Sequence, residues 1–288
     1  MCQLLGMNCN TPTDITFSFS GFAQRGGNTD HHGDGWGVAF FESRTQAAAD
    51  EKLAATQAVA DENRASAQNA AQDAQHDGKG LRHFVDHTSA ATSPVAELIR
   101  RYPVKSKNVI AHIRKATQGV VALENCHPFV RELWGRYWVF AHNGDLKNFA
   151  PRLHGSFRPV GSTDSELAFA YIMQELAKSH AGVPSVAELT ITLREIAARI
   201  APHGTFNFLL SNGQALWAHA STSLYYVLRQ HPFAHAALVD EDVQVNFAEH
   251  TQPQDRVAVV VTAPLTKNEQ WVQILPGQLA VFVNGVLV

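Results

Sequence analysis

Six short apolar segments follow His203 in this sequence, and their spacing constrains the fold more than any other feature. Turn residues separate them, and they read TFNFLLSNG, ALWAHA, LYYVLR, RVAVVVTA, WVQILP and QLAVFVNG. Short apolar runs between turn residues are typical of β-strands. We therefore expect the C-terminal part of the chain to be built almost entirely from strands.

The first two thirds of the chain combine predicted strands with predicted helices. Apolar patterns predict strands at 3–8, 36–42, 80–86, 108–116 and 136–145, and helices at 12–25, 93–102, 163–173 and 185–201. No Pro-rich or Ser-rich linker separates these elements. We therefore expect one α+β domain over residues 1–288, with mainly antiparallel sheets between helical layers.

The composition changes abruptly between about residues 45 and 77. This stretch is rich in Ala, Gln, Asp and Glu, and its only substantial hydrophobic residues are Leu53 and Val59. Alanine and straight-chain polar residues favour helix, but so few apolar residues cannot form a core face. A solvated helix or helical hairpin inserted between two strands is predicted. Partial disorder and an alanine-lined contact with another subunit stay open alternatives.

Composition and charge exclude several classes of function. The 288-residue chain is 45% hydrophobic and 17% charged, with a net charge of −3. It lacks the excess of basic residues that would predict binding to nucleic acid or to an anionic membrane. No apolar run reaches the roughly 18 residues that span a bilayer, and no signal-peptide pattern begins the chain. We expect a cytoplasmic protein. Its histidines and cysteines include no H-E-x-x-H and no C-x-x-C motif, so no metal or cofactor is predicted.

Cys2 follows the initiator methionine directly. Once Met1 is removed, the thiol and a free α-amine share one Cα, and the amine can serve as the base that activates the sulfur. We therefore predict that the mature protein lacks Met1. The alternative for an isolated Cys2 is an unreactive buried thiol.

Asn143 and Gly144, in the segment FAHNGD at 140–145, offer two neutral hydrogen-bond donors. A side-chain amide and a backbone N–H could stabilise the negative oxygen that forms when a thiolate attacks an amide. The alternative interpretation is a simple Asn-Gly turn of the hairpin kind.

Arg114 and Asp164 carry opposite charges that could hold an amino acid. The guanidinium would bind an α-carboxylate and the carboxylate an α-ammonium group. Thr117 and Gln118 come shortly after the arginine and could line the same pocket. The structural alternatives are an internal salt bridge for Arg114 and a helix N-cap for Thr163 or Asp164.

Five segments together resemble a known family. Cys2 and the motifs AHIRKATQG at 111–119, NCHPF at 125–129, AHNGD at 141–145 and GSTDSE at 161–166 are similar to those of the class II glutamine amidotransferases, and the chain outside the insertion looks most like the stand-alone bacterial members of the YafJ type. The resemblance implies a four-layer αββα N-terminal-nucleophile hydrolase fold.

The resemblance also implies roles for individual residues. Cys2 would attack the glutamine side-chain amide and form a γ-glutamyl thioester, with Asn143 and Gly144 holding the oxyanion. Arg114 would bind the substrate α-carboxylate and Asp164 the α-amine. The products would be glutamate and ammonia, and the ammonia could pass to a partner protein supplied in trans.

Two further functions stay open at this point. One is hydrolysis of another γ-glutamyl amide, which would use the same grip on the glutamyl group and differ in the leaving group. The other belongs to a different class, a catalytically silent binding or assembly module that uses the 45–77 segment as its contact surface.

Overall fold

The computed structural model describes residues 2–42, 80–102, 104–116 and 119–288. The predicted insertion at 45–77 lies outside these ranges, as do Met1, Thr117 and Gln118. No helix within the described ranges is long and apolar enough to cross a membrane.

The strands of the described chain form two large antiparallel sheets and one small one. They are β1 (Gln3–Asp14), β2 (Trp36–Glu42), β3 (Gly80–Asp86), β4 (Lys105–Ile113), β5 (Phe129–Leu133), β6 (Arg136–Leu146), β7 (Gly204–Ser211), β8 (Leu216–His219), β9 (Leu224–Gln230), β10 (His235–Ala237), β11 (Gln244–Asn246), β12 (Arg256–Val261), β13 (Val272–Ile274), β14 (Leu279–Val283) and β15 (Val286–Leu287). The helices are α1 (Thr16–Gln24), α2 (Pro94–Arg101), α3 (Asp164–Ser179) and α4 (Val186–Ile200).

Strand order places β1 inside the larger sheet. The seven-stranded sheet has the order β13-β9-β12-β1-β4-β2-β3, and the six-stranded sheet has the order β15-β14-β8-β7-β6-β5. Strands β10 and β11 pair separately. Since β12 and β4 both pair with β1 in antiparallel register, the first strand of the chain has neighbours on both sides.

The two large sheets pack face to face over a shared apolar core. Leu4 and Val260 of the larger sheet lie in one buried cluster with Ala141, Leu209 and Phe282 of the smaller sheet. Side chains alternate between the faces of a strand, so the neighbouring residues of these strands point outward. The two sheets are therefore the two middle layers of the described structure.

Helices cover the outer face of each sheet. Phe19 of α1 and Ile99 of α2 pack with Leu5 and the outward side chains of the larger sheet. Phe169 of α3 and Leu193 of α4 pack against the outer face of the smaller sheet. The resulting order is helix, sheet, sheet, helix, and the expected four-layer αββα arrangement with antiparallel sheets is confirmed.

The predicted helix at 12–25 starts too early. Strand β1 continues to Asp14, because its last residues pair with β4 after a register shift between Asn8 and Thr13. The helix starts only at Thr16. Pairing with a distant strand therefore overrides the local apolar stripe that suggested helix.

Candidate active site

Cys2 lies at the open end of β1, directly before the first paired residue. Gln3 pairs with Ile113, the last residue of β4, so the chain that follows β4 runs beside the cysteine. The Cys2 sulfur accepts a hydrogen bond from the Lys115 backbone N–H at 3.3 Å and lies 3.4 Å from the Lys115 carbonyl oxygen. The sheet thus fixes the position of the thiol through backbone groups alone.

Burial, a backbone hydrogen bond and the charges of Arg114 and Asp164 all act on the Cys2 thiol. Burial raises the pKa of the Cys2 thiol, while the hydrogen bond from Lys115 and the positive charge of Arg114 act in the opposite direction. The negative charge of Asp164 raises the same pKa further. The sulfur is therefore within electrostatic reach of both charges that the sequence analysis paired. A thiol whose pKa is raised stays protonated near neutral pH and needs a base before it can attack.

Arg114 is a buried residue enclosed by backbone. Its own N–H donates to the Gly35 carbonyl at 2.7 Å, and its guanidinium donates to the carbonyls of Val120 at 3.2 Å and Gly119 at 3.4 Å. Asp34 stabilises the same segment by accepting the Ala116 N–H at 2.8 Å. These bonds give the guanidinium a defined orientation at the end of β4.

The glycine-rich stretch before β2 permits this close approach of backbones. Gly35 has a φ of +121°, and a Cβ there would lie 2.7 Å from the Cys126 sulfur and 3.0 Å from the Asp86 carbonyl oxygen. Only glycine fits at this position. Glycine at position 35 therefore lets the backbone before β2 pack closely against the backbone of Arg114.

Asn143 and Gly144 do not form a turn. Strand β6 continues through both residues to Leu146, and they pair with Asn207 and Phe206 of β7. The hairpin-turn interpretation of the Asn-Gly pair is therefore wrong. A side chain at residue 144 would overlap the Thr205 carbonyl oxygen of the neighbouring strand, so glycine serves close packing inside the ladder.

The Asn143 side chain points toward the strand that carries Cys2. Its amide nitrogen lies 3.4 Å from the Thr262 hydroxyl oxygen, which also accepts the Leu4 N–H at 2.9 Å. The Asn143 amide oxygen is buried, with no hydrogen-bond partner among the described residues. Thr262 therefore joins the proposed oxyanion donor to the nucleophile's own strand. Sequence reasoning missed Thr262, which follows an ordinary apolar strand and carries no motif.

Asp164 is the first residue of α3, and Thr163 is the residue that caps the helix. The Thr163 hydroxyl accepts the Glu166 N–H at 3.2 Å. The Asp164 carboxylate accepts the Leu146 N–H at 2.8 Å, which ties the start of α3 to the end of β6. The bond from Leu146, which follows Gly144 closely in the chain, holds Asp164 in place, and the second carboxylate oxygen lies 3.5 Å from the Ser165 hydroxyl, which donates to it.

Three histidines of the family-like motifs are buried beneath these residues. The rings of His112 and His127 lie 4.1 Å apart between their centroids. His142 contacts the Ser165 hydroxyl at 2.8 Å and the Thr205 carbonyl at 3.0 Å. Burial lowers the pKa of all three, and that of His112 falls to about 3. These imidazoles are therefore neutral near pH 7, and buried neutral rings suit packing better than proton transfer to Cys2.

The described part of the chain contains no group of three or more His, Cys, Asp or Glu side chains that could hold a metal ion. Burial raises the pKa of Cys9 to about 12 and of Cys126 to about 11. Neither thiol has the surroundings of a reactive one. Thr117 and Gln118, the predicted pocket-lining residues, lie outside the described ranges.

Comparison with known proteins gives a consistent result. A family model described as class-II glutamine amidotransferases matches residues 1–288. A Haemophilus influenzae protein with a provisional glutamine amidotransferase name is 46% identical over 285 residues, covering 99% of this chain and 85% of the relative. The Escherichia coli protein YafJ, also provisionally named a glutamine amidotransferase, is 42% identical over 286 residues, covering 99% of this chain and 98% of its own.

Solved structures agree with the fold. The crystal structure of a predicted glutamine amidotransferase from Pseudomonas aeruginosa PA01 is 36% identical, with a TM-score of 0.71, and covers 100% of this chain and 99% of that one. The phosphoribosylpyrophosphate amidotransferase of B. subtilis is 16% identical with a TM-score of 0.55, and the match covers 48% of that chain. At this identity the likeness concerns the fold alone.

Proposed function

The chain belongs to the class II glutamine amidotransferases, and from this premise we propose that it hydrolyses the side-chain amide of glutamine with Cys2 as the nucleophile. The products are glutamate and ammonia. The ammonia is either released or passed to an acceptor that a partner protein holds.

The observation that supports this proposal most is the convergence of three elements on one sulfur. Cys2 directly precedes β1, Arg114 follows β4 and Asp164 starts α3, and both charges act on the Cys2 thiol. A guanidinium and a carboxylate that both act on the nucleophile suit the carboxylate and ammonium of an amino-acid substrate. With both α-groups of the amino acid bound in this way, its side chain would lie next to the Cys2 sulfur.

The proposed reaction runs through a covalent intermediate. The Cys2 sulfur attacks the side-chain carbonyl carbon of glutamine, and the α-amine of Cys2 takes up the thiol proton. The bond to the amide nitrogen then breaks, and that nitrogen leaves as ammonia with the proton from the amine. Water adds to the γ-glutamyl thioester, the amine accepts the water's proton and returns it to the sulfur, and glutamate departs.

Asn143 and Gly144 hold the oxyanion in this scheme. The Asn143 amide nitrogen has two hydrogens, and Thr262 lies within 3.4 Å to accept one of them. The second hydrogen can point at the substrate oxygen. One such donor typically contributes about 2.7–4 kcal/mol to lowering the barrier.

The α-amine acts as a base only when it is unblocked. Met1 must therefore be removed, because an amide nitrogen at Cys2 cannot collect a proton. The intact mass of an active preparation tests this requirement. A mass that includes Met1 in fully active protein would refute the mechanism.

A labelling experiment tests the nucleophile. The protein is incubated with a diazoketone analogue of glutamine and the modified residue is located by peptide mass spectrometry. We expect one adduct at Cys2, unchanged in a Cys126→Ala control, and glutamate release from glutamine in the unlabelled protein. Absence of selective labelling at Cys2 would favour a catalytically silent module.

Substrate comparison separates glutamine from other γ-glutamyl amides. Turnover of glutamine is measured against γ-glutamyl amides that carry larger groups on the nitrogen. Faster turnover of glutamine supports the proposal. Faster turnover of the larger amides would assign the same residues to a different γ-glutamyl amidohydrolase.

A further inference from the structure

We propose that Asn125 is a positioning residue that fixes the spacing between Arg114 and Asp164, and thereby sets the affinity for the glutamyl group. This inference rests on the proposed function. Asn125 opens the NCHPF motif, to which the mechanism above gives no role. Its side chain would act on the two substrate-binding charges without contacting the substrate.

The side chain of Asn125 is almost fully buried, with an exposed fraction of 1%. Its amide nitrogen donates to the Val120 carbonyl at 3.0 Å and lies 3.4 Å from the Ser162 hydroxyl. Its amide oxygen accepts the Ser162 N–H at 2.9 Å. One amide therefore joins the loop of Val120 to the loop of Ser162, which lies 37 residues after Asn125 in sequence.

The first of these loops carries the Arg114 contact. The Val120 carbonyl that accepts from Asn125 also accepts from the Arg114 guanidinium at 3.2 Å. Two donors on one carbonyl oxygen fix its direction, since each hydrogen bond uses one lone pair. Movement of Asn125 would therefore change where the guanidinium points.

The second loop leads directly into Asp164. Ser162 is followed by Thr163, the N-cap of α3, and then by Asp164. Glu166 holds the preceding residues of this loop by accepting the N–H groups of Val160 at 3.0 Å and Gly161 at 2.7 Å. The loop is thus bound on one side to its own helix and on the other side to Asn125.

Two glycines allow the loops to approach Asn125. A Cβ at Gly161 would overlap the Asn125 amide oxygen. Gly119 has a φ of +71°, and a Cβ there would lie 3.2 Å from the Asn125 amide nitrogen and 3.1 Å from the Ser162 hydroxyl. The close packing leaves little room for Asn125 to adopt a different rotamer.

Substitution of Asn125 by aspartate provides the sharpest test, because the two side chains have nearly the same shape. The Asn125→Asp carboxylate keeps an oxygen for the Ser162 N–H but places its second oxygen against the Val120 carbonyl. Donation to that carbonyl is lost and repulsion replaces it. We expect the second-order rate of inactivation by the diazoketone analogue of glutamine to fall roughly tenfold to hundredfold.

Iodoacetamide supplies the second readout, because it reacts with the Cys2 thiol without needing Arg114 or Asp164. Its limiting rate at high pH, where the Cys2 thiol is fully ionised and its pKa no longer matters, should stay the same in Asn125→Asp. In steady-state assays the KM for glutamine should rise more than kcat falls. Equal losses with both reagents would indicate a general structural role and overturn the proposal, as would no loss with either.

The pH dependence adds a signature that a folding defect would not give. When the introduced carboxyl is protonated, its O–H can again donate to the Val120 carbonyl. The diazoketone rate of the variant, divided by that of the unmodified sequence at each pH, should therefore rise as the pH falls. A ratio that is constant with pH would contradict the proposed contact.

Asn268 offers a control for the same chemical change at an exposed position. Its amide also bridges two backbone groups, accepting the Ala237 N–H and donating to the His235 carbonyl, each at 2.9 Å. Asn268→Asp makes the same chemical change away from Cys2 and should alter neither rate. If the unmodified protein fails to react with the diazoketone, the proposed function falls together with this inference. If the unmodified protein reacts with the diazoketone but Asn125→Asp does not lose rate with the diazoketone selectively, only this inference falls.

Discussion

Cys2 directly precedes β1 and Cys9 lies within it, and the two thiols have different surroundings. Each thiol contacts backbone carbonyls beside β4, Cys2 at Lys115 and Cys9 at Ser106. Cys9 is almost fully buried, and burial raises its pKa to about 12. Cys2 is half-buried, accepts a backbone N–H and lies within reach of a cation and an anion. The proposed difference in reactivity between the two thiols therefore follows from their positions along the chain and not from their residue type.

The buried asparagines near Cys9 and near Cys2 also differ, in how their side-chain amides are hydrogen-bonded. Near Cys9, the Asn8 amide donates to Asn108 at 2.8 Å and accepts the Gly285 N–H at 2.8 Å, while Asn108 donates to the Gly213 carbonyl at 2.7 Å. Near Cys2, the Asn143 amide nitrogen donates to the Thr262 hydroxyl at 3.4 Å, which uses one of its two hydrogens. The Asn8 and Asn108 amides stabilise the fold, whereas the second hydrogen of the Asn143 nitrogen is the one that the proposed oxyanion site would use.

The largest expected effect comes from substituting each of the two cysteines by alanine in a separate variant. Cys2→Ala should lower glutaminase activity by roughly four to six orders of magnitude, because the nucleophile is lost. Cys9→Ala should leave kcat unchanged and reduce the free energy of unfolding by about 1 kcal/mol. Glutamate release and urea denaturation measure the two quantities. Substantial activity in Cys2→Ala would remove the basis of the contrast.

The asparagines should separate in the same way with a smaller effect. Asn143→Ala removes one oxyanion donor and should lower kcat about 10²–10³-fold with little change in stability. Asn108→Ala leaves the Asn8 amide and the Gly213 carbonyl without partners, which costs about 1–3 kcal/mol for each buried group. We expect the second variant to unfold at lower urea concentration with normal kcat. A reversal of the two outcomes would refute the assignment.

Neutralising Asp164 tests the charge pair around Cys2. Asp164→Asn should raise the KM for glutamine roughly tenfold to hundredfold, because a charged hydrogen bond to the substrate ammonium is lost. The negative charge of Asp164 raises the pKa of Cys2, so its removal lowers that pKa. The midpoint of the pH–rate curve for iodoacetamide should therefore move to lower pH. An unchanged midpoint would mean that the carboxylate does not act on the sulfur.

Thr262 gives the smallest predicted effect. Thr262→Val removes the hydroxyl next to Asn143 and should lower kcat roughly tenfold through poorer orientation of the amide. Thr262→Ser retains the hydroxyl and serves as the matched control. Both variants should keep the KM for glutamine. Equal activity of the two would show that the hydroxyl does not orient Asn143.

Sequence patterns predicted the fold better than they predicted the details of the site. The order of predicted strands and helices indicated antiparallel sheets between helical layers, and the resemblance carried by the motifs implied the αββα fold and the family. Both are confirmed. Sequence analysis could single out Cys2, Arg114 and Asp164 because a thiol, a guanidinium and a carboxylate are reactive or charged groups. Their roles stay predictions. The Asn143-Gly144 turn was wrong because pairing with β7, about sixty residues later, overrides the local preference for a turn.

Contacts between distant residues escaped sequence analysis for a physical reason. Thr262 meets Leu4 across 258 positions, and no local pattern records such a pairing. Asn125 lay within a quoted motif, but its function depends on Val120 and Ser162 belonging to different loops. Only the three-dimensional arrangement identifies these two residues.

The central place of β1 has a consequence for biosynthesis. Leu5 pairs with Val261, so β1 cannot gain its second neighbour until about 250 further residues have been translated. At about 5–20 residues per second, this interval lasts roughly ten to fifty seconds. We expect the methionine at the amino end to be trimmed within that interval, while one edge of the strand is still open. Pulse-labelled nascent chains that retain it until after release from the ribosome would contradict this order of events.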